Sequence, residues 1–200
     1  MMDFRPGLVE YIRAQARPVE KFSHQERLYH LTRQIGAGLV YDDDIVFAAA
    51  WLHDIGVFIG HRPESLAELE KWDLIAYAER TVPGILLVHG FPGEKIPAVM
   101  EVIRHHQPAG KPSTMEGVLV RDADILEQLG AAGILRTVCK VGRDTRFQVF
   151  PDALEALQRS ADTLPGQLRL PASQALAANR LRILNLFLEE ARHEGCFHRG

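Results

Sequence analysis

The stretch that decides the fold is Ala48-Ala49-Ala50-Trp51-Leu52-His53-Asp54-Ile55-Gly56. Five apolar residues are followed at once by a histidine and an aspartate. A carboxylate among apolar side chains is costly unless a cation or metal ion pairs with it. Gly56 is typical of a helix end, where glycine adopts the left-handed conformation. We therefore expect His53 and Asp54 at the end of a buried helix, either as metal ligands or as a structural hydrogen-bonded pair.

The size and composition of the chain predict one soluble, cytoplasmic domain over residues 1–200. A length of 200 residues fits one domain, and 46% hydrophobic with 24% charged residues is ordinary for a globular protein. The net charge of −3 argues against extended nucleic-acid binding. Residues 1–7 lack the apolar core of a signal peptide, and no apolar run is long enough for a membrane span. Cys139 and Cys196 are too few for a disulfide framework, so both thiols are expected to be reduced.

The pattern along the chain predicts helices joined by Pro/Gly breaks, and hence an all-α fold. Asp42-Asp43-Asp44 supplies a cap and first-turn negative charge for the helix that ends near His53. Pro83-Gly84 is expected to interrupt or kink a helix that begins near Trp72. The predicted helices cover about residues 23–39, 44–53, 72–79, 97–106, 114–129, 152–161 and 172–192.

Helical spacing indicates which histidines point toward the core. At ~100° per residue, His24 lies within about 40° of Leu28, Leu31 and Ile35, whereas His30 lies about 120° away. His24 is therefore predicted to be buried. A lone buried histidine is more often structural, but a second one beside an aspartate favours a shared site.

The run Ile103-Arg104-His105-His106 ends a further helix. His106 shares a face with Val99, Val102 and Ile103, so we expect it to point inward, while His105 shares a side with Glu101. Both histidines remain candidates, one for a metal and one for a substrate oxygen.

The fourth element is Arg121-Asp122-Ala123-Asp124, and its spacing does not decide between the two aspartates. Asp122 has Leu119 and Leu126 on its side, whereas Asp124 lies with smaller neighbours. Imidazole and carboxylate donors without a thiolate suit Mn, Fe, Co, Ni or Zn, with Mg less favoured.

These residues resemble the HD-domain superfamily of metal-dependent phosphohydrolases. His24-Gln25-Glu26-Arg27-Leu28 is similar to the family's His-x-x-Arg-(Val/Leu), and Ala50 to Gly56 is similar to its Ala-x-Leu-His-Asp-Ile-Gly. Ala123-Asp124-Ile125-Leu126 resembles its closing Ala-Asp-x-Leu, which selects Asp124. The resemblance covers about residues 22–136 and implies an HD-domain helical bundle. Residues 141–200 are expected to add a C-terminal helical extension.

The resemblance implies hydrolysis of a phosphoester or phosphoanhydride in a small nucleotide-like substrate. It implies that His24, His53, Asp54 and Asp124 hold one divalent metal ion. Asp54 is also expected near the attacking water, and His106 is expected to give a proton to the leaving oxygen or to bind phosphate. The candidate substrate-binding residues are Arg27, His105 and Lys140, while Arg143 and Arg146 are weaker candidates.

Two other functions stay open at this point. A second metal needs a further ligand, for which Asp73, His61 and His89 are candidates, and two irons would favour an oxygenase. A non-catalytic module that binds a nucleotide or partner protein is the third hypothesis. The sequence predicts no oligomeric state.

Overall fold

The computed structural model describes residues 3–144 and 146–195, and the described residues form helices and loops with no β-strand. The predicted all-α class is therefore confirmed. The α-helices in this part of the chain are α1 (Arg5–Gln15), α2 (Glu20–Ile35), α3 (Asp43–Leu52), α4 (Leu66–Leu69), α5 (Leu74–Val88), α6 (Ile96–His105), α7 (Met115–Glu127), α8 (Gly130–Val138), α9 (Phe150–Thr163) and α10 (Pro171–Glu194).

The chain divides into two compact units, the first ending at Arg121 and the second beginning at Asp122, within α7. In the first unit α3 is central, since it packs against α1, α2, α5 and α6. In the second unit α8, α9 and α10 pack against one another. The single domain expected over residues 1–200 stays a prediction.

Helix α3 is buried on every side. All residues from Val46 to Leu52 are buried, which is how a helix without a polar face behaves at the centre of a domain. The helix begins as the sequence predicts, because the Asp42 carboxylate accepts a hydrogen bond from the N–H of Asp44 at 3.0 Å. The consequence for the site is that His53 and Asp54 follow directly from a fixed element.

The aspartates at the start of α3 are bound by two cations. Arg5 Nη2 lies 2.8 Å from an Asp43 oxygen and 2.7 Å from an Asp44 oxygen. Lys95 Nζ lies 2.7 Å from Asp42 and 3.0 Å from Asp44. These ion pairs connect α1 and the turn before α6 to the beginning of α3.

The sequence analysis did not predict α1. Only Leu8 and Ile12 of this helix are fully buried, and just before it Phe4 packs edge-on against Phe47 and Phe91. The spacing of four residues between Leu8 and Ile12 was the available signal. Two buried positions make a weak pattern, which explains the omission.

Helix α5 shows that the predicted interruption at Pro83-Gly84 is wrong, while the alternative of a kink stays a prediction. The helix runs from Leu74 to Val88 with Pro83 inside it, so the proline does not end it. Proline removes one backbone hydrogen bond. The physical reason for continuation is the apolar burial on both sides of the proline, at Ala78 and Val82 before it and at Ile85 and Leu86 after it.

The backbone conformation of Gly56 also differs from the prediction. It lies in the 3₁₀ turn Ile55–Val57 rather than in a left-handed conformation. Glycine is needed here for close packing, because a Cβ atom would lie 3.1 Å from both Leu74 Cβ and Leu74 O. The carbonyl of Gly56 accepts a hydrogen bond from Trp72 Nε1 at 2.8 Å, which further fixes the turn after Asp54.

We expect Gly56→Ala to lower the free energy of unfolding by about 1–3 kcal/mol, because the new methyl group is overpacked against Leu74. Urea denaturation followed by circular dichroism measures this. Gly84→Ala is the matched control, since Gly84 is inside α5 and a Cβ there meets nothing within 4 Å. That control should be stabilised by about 0.5–1 kcal/mol, because alanine has the higher helix propensity. Equal stabilities for the Gly56 variant and the wild type would contradict the packing argument.

Two sequence expectations concern the cellular location. No helix in the described part of the chain is long and apolar enough to cross a membrane. Cys139 is exposed and its thiol is free, whereas Cys196 lies outside the described residues. The cytoplasmic location and the reduced state of both cysteines stay predictions.

Candidate metal centre

The candidate site lies where three helix ends of the first unit meet. His53 caps the C-terminus of α3, and its N–H donates to the Ala49 carbonyl at 2.9 Å. Asp54 follows before the 3₁₀ turn. His24 lies near the beginning of α2, and His106 caps the C-terminus of α6. Local helix boundaries therefore position all four side chains.

The four side chains converge. Ligand atoms of His53, Asp54 and His106 all lie within 4.8 Å of one another. His24 Nε2 lies 3.8 Å from Asp54 Oδ2, and His53 Nε2 lies 3.8 Å from Asp54 Oδ1. The ring centroids of His24 and His53 are 5.4 Å apart, and those of His53 and His106 are 4.9 Å apart. The inward orientations predicted for His24 and His106 are confirmed, since both are buried, while His30 is exposed.

Backbone carbonyls orient two of the imidazoles. His53 Nδ1 lies 3.0 Å from the Ala50 carbonyl oxygen, and His106 Nδ1 lies 2.6 Å from that of Ile103. A carbonyl oxygen only accepts, so Nδ1 carries the hydrogen in both rings. In the neutral His53 ring the lone pair then lies on Nε2, the atom that is 3.8 Å from Asp54 Oδ1. This is the arrangement by which proteins orient histidine ligands of metals.

The carboxylate of Asp54 is held in its ionised form. Burial alone would raise its pKa. The His53 ring in its protonated form, the ammonium group of Lys21, and His24 and His106 when protonated lower the pKa of Asp54 well below its usual value. Asp54 is therefore a carboxylate throughout the physiological pH range.

This donor set fits a divalent metal ion. Oriented imidazole nitrogens, an ionised carboxylate and separations below 4.8 Å match the ligand chemistry of Mn, Fe, Co, Ni or Zn better than that of Mg. Three of the four side chains are almost completely buried, and Asp54 is partly exposed. The site is thus enclosed at the helix ends and open at the aspartate.

The two aspartates that the sequence could not separate lie in the second unit and have different surroundings. The Asp122 carboxylate accepts hydrogen bonds from the N–H groups of Arg169 and Leu170, at 3.1 Å and 2.9 Å. Asp122 therefore fixes the segment before α10. Asp124 is 9% exposed, and its carboxylate accepts from Gln128 Nε2 at 3.2 Å. Its role as a metal ligand stays a prediction.

The candidate substrate-binding residues have other contacts. Arg27 is half-buried and its Nη1 donates to Ser23 Oγ at 3.0 Å. His105 is partly exposed and its Nε2 lies 3.5 Å from a Glu101 oxygen. Their roles in binding substrate are not established by these contacts and stay predictions.

The basic loop of the second unit is internally paired. Lys140 Nζ lies 5.3 Å from the centroid of the Phe147 ring, in a cation–π contact. Arg146 binds Asp144 through two hydrogen bonds, which lower the pKa of the Asp144 carboxyl to about 2. Arg143 is exposed. A role of Lys140 in binding phosphate stays a prediction.

The candidate ligands for a second metal have structural contacts instead. Asp73 caps α5, and its carboxylate accepts from the N–H groups of Ile75 and Ala76. Both ring nitrogens of His61 are in hydrogen bonds, with Tyr77 Oη at 2.8 Å and with Gln15 Oε1 at 2.9 Å. These contacts explain both residues without a metal.

His89, the third candidate for a second metal, ends α5. Its ring packs against Tyr11 with a centroid distance of 5.5 Å. A Cβ atom on Gly7 would lie 3.0 Å from His89 Nδ1, so α1 also approaches this ring closely. The contacts of His89 thus join α1 to α5.

Sequence reasoning missed Lys21. Its Nζ lies 4.0 Å from Asp54 Oδ2. The available signal was its position three residues before His24, which places both residues on the same face of α2.

Comparisons with known proteins agree with this architecture. Residues 22–129, more than half of the chain, match the family model of the HD domain. A Lactobacillus plantarum protein of known structure is 18% identical, with a TM-score of 0.76 over 97% of this chain and 98% of its own. Bacillus subtilis YpgQ in complex with ADP is 19% identical, with a TM-score of 0.73 over 96% of this chain and 95% of its own. A Bacillus thuringiensis HD-superfamily hydrolase is 21% identical, with a TM-score of 0.70 over 95% of each chain. No curated protein matches the chain in sequence.

Proposed function

This chain belongs to the HD domain family, and from that premise we propose that it is a metal-dependent phosphohydrolase. Its substrate would be a small nucleotide-like molecule with a phosphoester or phosphoanhydride bond. The observation that carries the proposal is the convergence of three imidazoles on the ionised Asp54 carboxylate. A purely structural His–Asp pair would not need two further histidines beside the same carboxylate.

We assign His24, His53, Asp54 and Asp124 as the ligands of one divalent metal ion. The first three are supported by their mutual distances and by the ionised state of Asp54. Asp124 is supported by the resemblance of Ala123-Asp124-Ile125-Leu126 to the family motif. The neighbouring Asp122 is the weaker candidate, because its carboxylate already accepts hydrogen bonds from two backbone N–H groups. A metal ion bound here would offset the negative charge on a phosphoryl oxygen.

Asp54 and His106 would act on the water and the leaving group. A general base works best when its pKa is near the working pH, and the pKa of Asp54 is far below that. Asp54 would therefore accept a hydrogen bond from the attacking water and orient it, rather than remove its proton as a general base. To protonate the leaving oxygen, His106 would act as the imidazolium and donate from Nε2, since its Nδ1 hydrogen is already bonded to the Ile103 carbonyl.

The nucleotide-like substrate is supported by one of the similar structures. Bacillus subtilis YpgQ was crystallised in complex with ADP, and its fold matches 96% of this chain. An ADP-like ligand brings an anionic diphosphate, which suits a site built around a divalent metal and a nearby lysine. We therefore place the substrate among nucleoside phosphates.

Phosphate release from a nucleotide panel tests this proposal. Protein stripped by a chelator and reloaded with Mn, Fe, Co, Ni or Zn is incubated with nucleoside mono-, di- and triphosphates. At least one nucleotide should be hydrolysed, and excess chelator should stop the reaction. Hydrolysis of no member of the panel with any of these metals would contradict the proposal, as would full activity in the chelator.

The di-iron oxygenase hypothesis receives less support than the hydrolase. It needs about six protein ligands, and Asp73 and His61 are used as a helix cap and as a bridge to Gln15 and Tyr77. A mononuclear metal site is the simpler assignment.

A further inference from the structure

One cation lies beside the metal centre without being part of the ligand set. Lys21 Nζ is 4.0 Å from Asp54 Oδ2, the same oxygen that His24 Nε2 approaches to 3.8 Å. A separation of 4.0 Å is too long for a hydrogen bond. The ammonium group and the carboxylate are therefore an ion pair that an incoming anion can rearrange.

Backbone hydrogen bonds fix the position of Lys21. Its N–H donates to the Pro18 carbonyl at 3.0 Å, in the first turn of α2. The N–H of Ile59, shortly after the turn that follows Asp54, donates to the Arg17 carbonyl at 3.0 Å. The start of α2 and the loop beyond Asp54 are therefore held together, and Lys21 stays close to the carboxylate.

The side chain of Lys21 is more exposed to solvent than those of the proposed metal ligands. Its side chain is 31% exposed and that of Asp54 is 17% exposed, whereas those of His24 and His53 are 3% and 1% exposed. Lys21 thus lies on the solvent side of the centre, where a substrate must enter. Arg5 and Lys95, by contrast, lie within 3.0 Å of the aspartates that begin α3.

We propose that Lys21 is a phosphate-binding residue, which contacts the substrate phosphate at the open side of the metal centre. This inference rests on the proposed phosphohydrolase function. A divalent ion among the ligands satisfies the charge of Asp54, and the ammonium group then has a phosphate oxygen as its best available partner. Lysine suits this position because its compact charge on a flexible stem binds phosphate without a fixed geometry.

Lys21→Met tests the proposal, because methionine keeps most of the length of the side chain and removes its charge. The affinity for ADP is measured by calorimetry in Mn²⁺, and the metal content is measured separately. We expect ADP to bind about 10- to 100-fold more weakly, which is the usual loss for a charge-assisted contact. Manganese content should stay at the wild-type value, and Lys21→Arg should retain most of the ADP affinity.

Lys95→Met is the matched control. Lys95 has almost the same exposure as Lys21, 29% against 31%, and also pairs with aspartates, but it lies at the opposite end of α3. ADP affinity in this variant should equal that of the wild type.

Wild-type ADP affinity in Lys21→Met would overturn the assignment of Lys21 while leaving the hydrolase proposal intact. Altered manganese content in that variant, with ADP affinity unchanged at saturating metal, would also overturn it, because Lys21 would then act only on the ligand set. If the wild-type protein binds manganese but neither binds ADP nor hydrolyses any nucleotide, the proposed function fails and the inference fails with it.

Discussion

Asp54→Asn should lower the rate of nucleotide hydrolysis on the order of 10³-fold and weaken metal binding by at least about 100-fold. The change keeps the shape of the side chain and removes its charge. Groups that only support a ligand typically cost 10- to 100-fold in metal affinity, so loss of the carboxylate itself should cost at least as much. Activity is measured as phosphate release and metal affinity by competition with a chelator.

Asp73→Asn is the matched control for that variant. Asp73 is an N-cap, and asparagine caps a helix about as well as aspartate. Metal content and activity should therefore equal those of the wild type. Loss of the metal in Asp73→Asn would show that Asp73 is a ligand and that the mononuclear assignment is wrong. Full activity of Asp54→Asn would remove Asp54 from the site.

The two neighbouring aspartates of α7 should respond in opposite ways to alanine substitution. Asp122→Ala leaves the N–H groups of Arg169 and Leu170 without their acceptor, and the bond to Leu170 is buried. We expect a loss of about 3 kcal/mol in the free energy of unfolding, because each unsatisfied buried donor costs about 1–3 kcal/mol. At temperatures where the variant is folded, its metal content should be that of the wild type.

Asp124→Ala should lose the metal and most of the hydrolysis with a much smaller change in stability. Its carboxylate accepts a long hydrogen bond from the side chain of Gln128, at 3.2 Å, rather than the pair of backbone N–H bonds that Asp122 accepts. Urea denaturation and metal analysis of both variants provide the comparison. If Asp122→Ala loses the metal while Asp124→Ala keeps it, the assignment taken from the family motif is reversed.

The fold class and the central helix could be predicted from local signals. The apolar run from Ala48 to Leu52 and the cap at Asp42 are both properties of adjacent residues, and the structure has the helix as predicted. The face of His24 followed from helical periodicity alone. In each case the information lay within a few residues of the feature.

The sequence predictions failed, or stayed open, at residues whose role depends on a contact with a residue distant in the sequence. Gly56 is glycine because of Leu74, and Asp122 is buried because of backbone N–H groups near residue 170. Pro83 is tolerated because packing on both sides of it outweighs one lost hydrogen bond. Lys21 has a weak local signal, since its proximity to Asp54 depends on how α2 meets the end of α3.

The number of divalent metal ions bound per chain tests the central claim most directly. Protein purified without a chelator, or loaded with Mn²⁺ and dialysed, is analysed by mass spectrometry for all first-row metals. The proposed site predicts one ion per chain, which falls to near zero in Asp54→Asn and is unchanged in Asp73→Asn. A wild-type protein that binds no divalent metal, or an Asp54→Asn variant that binds it fully, would contradict the metal centre.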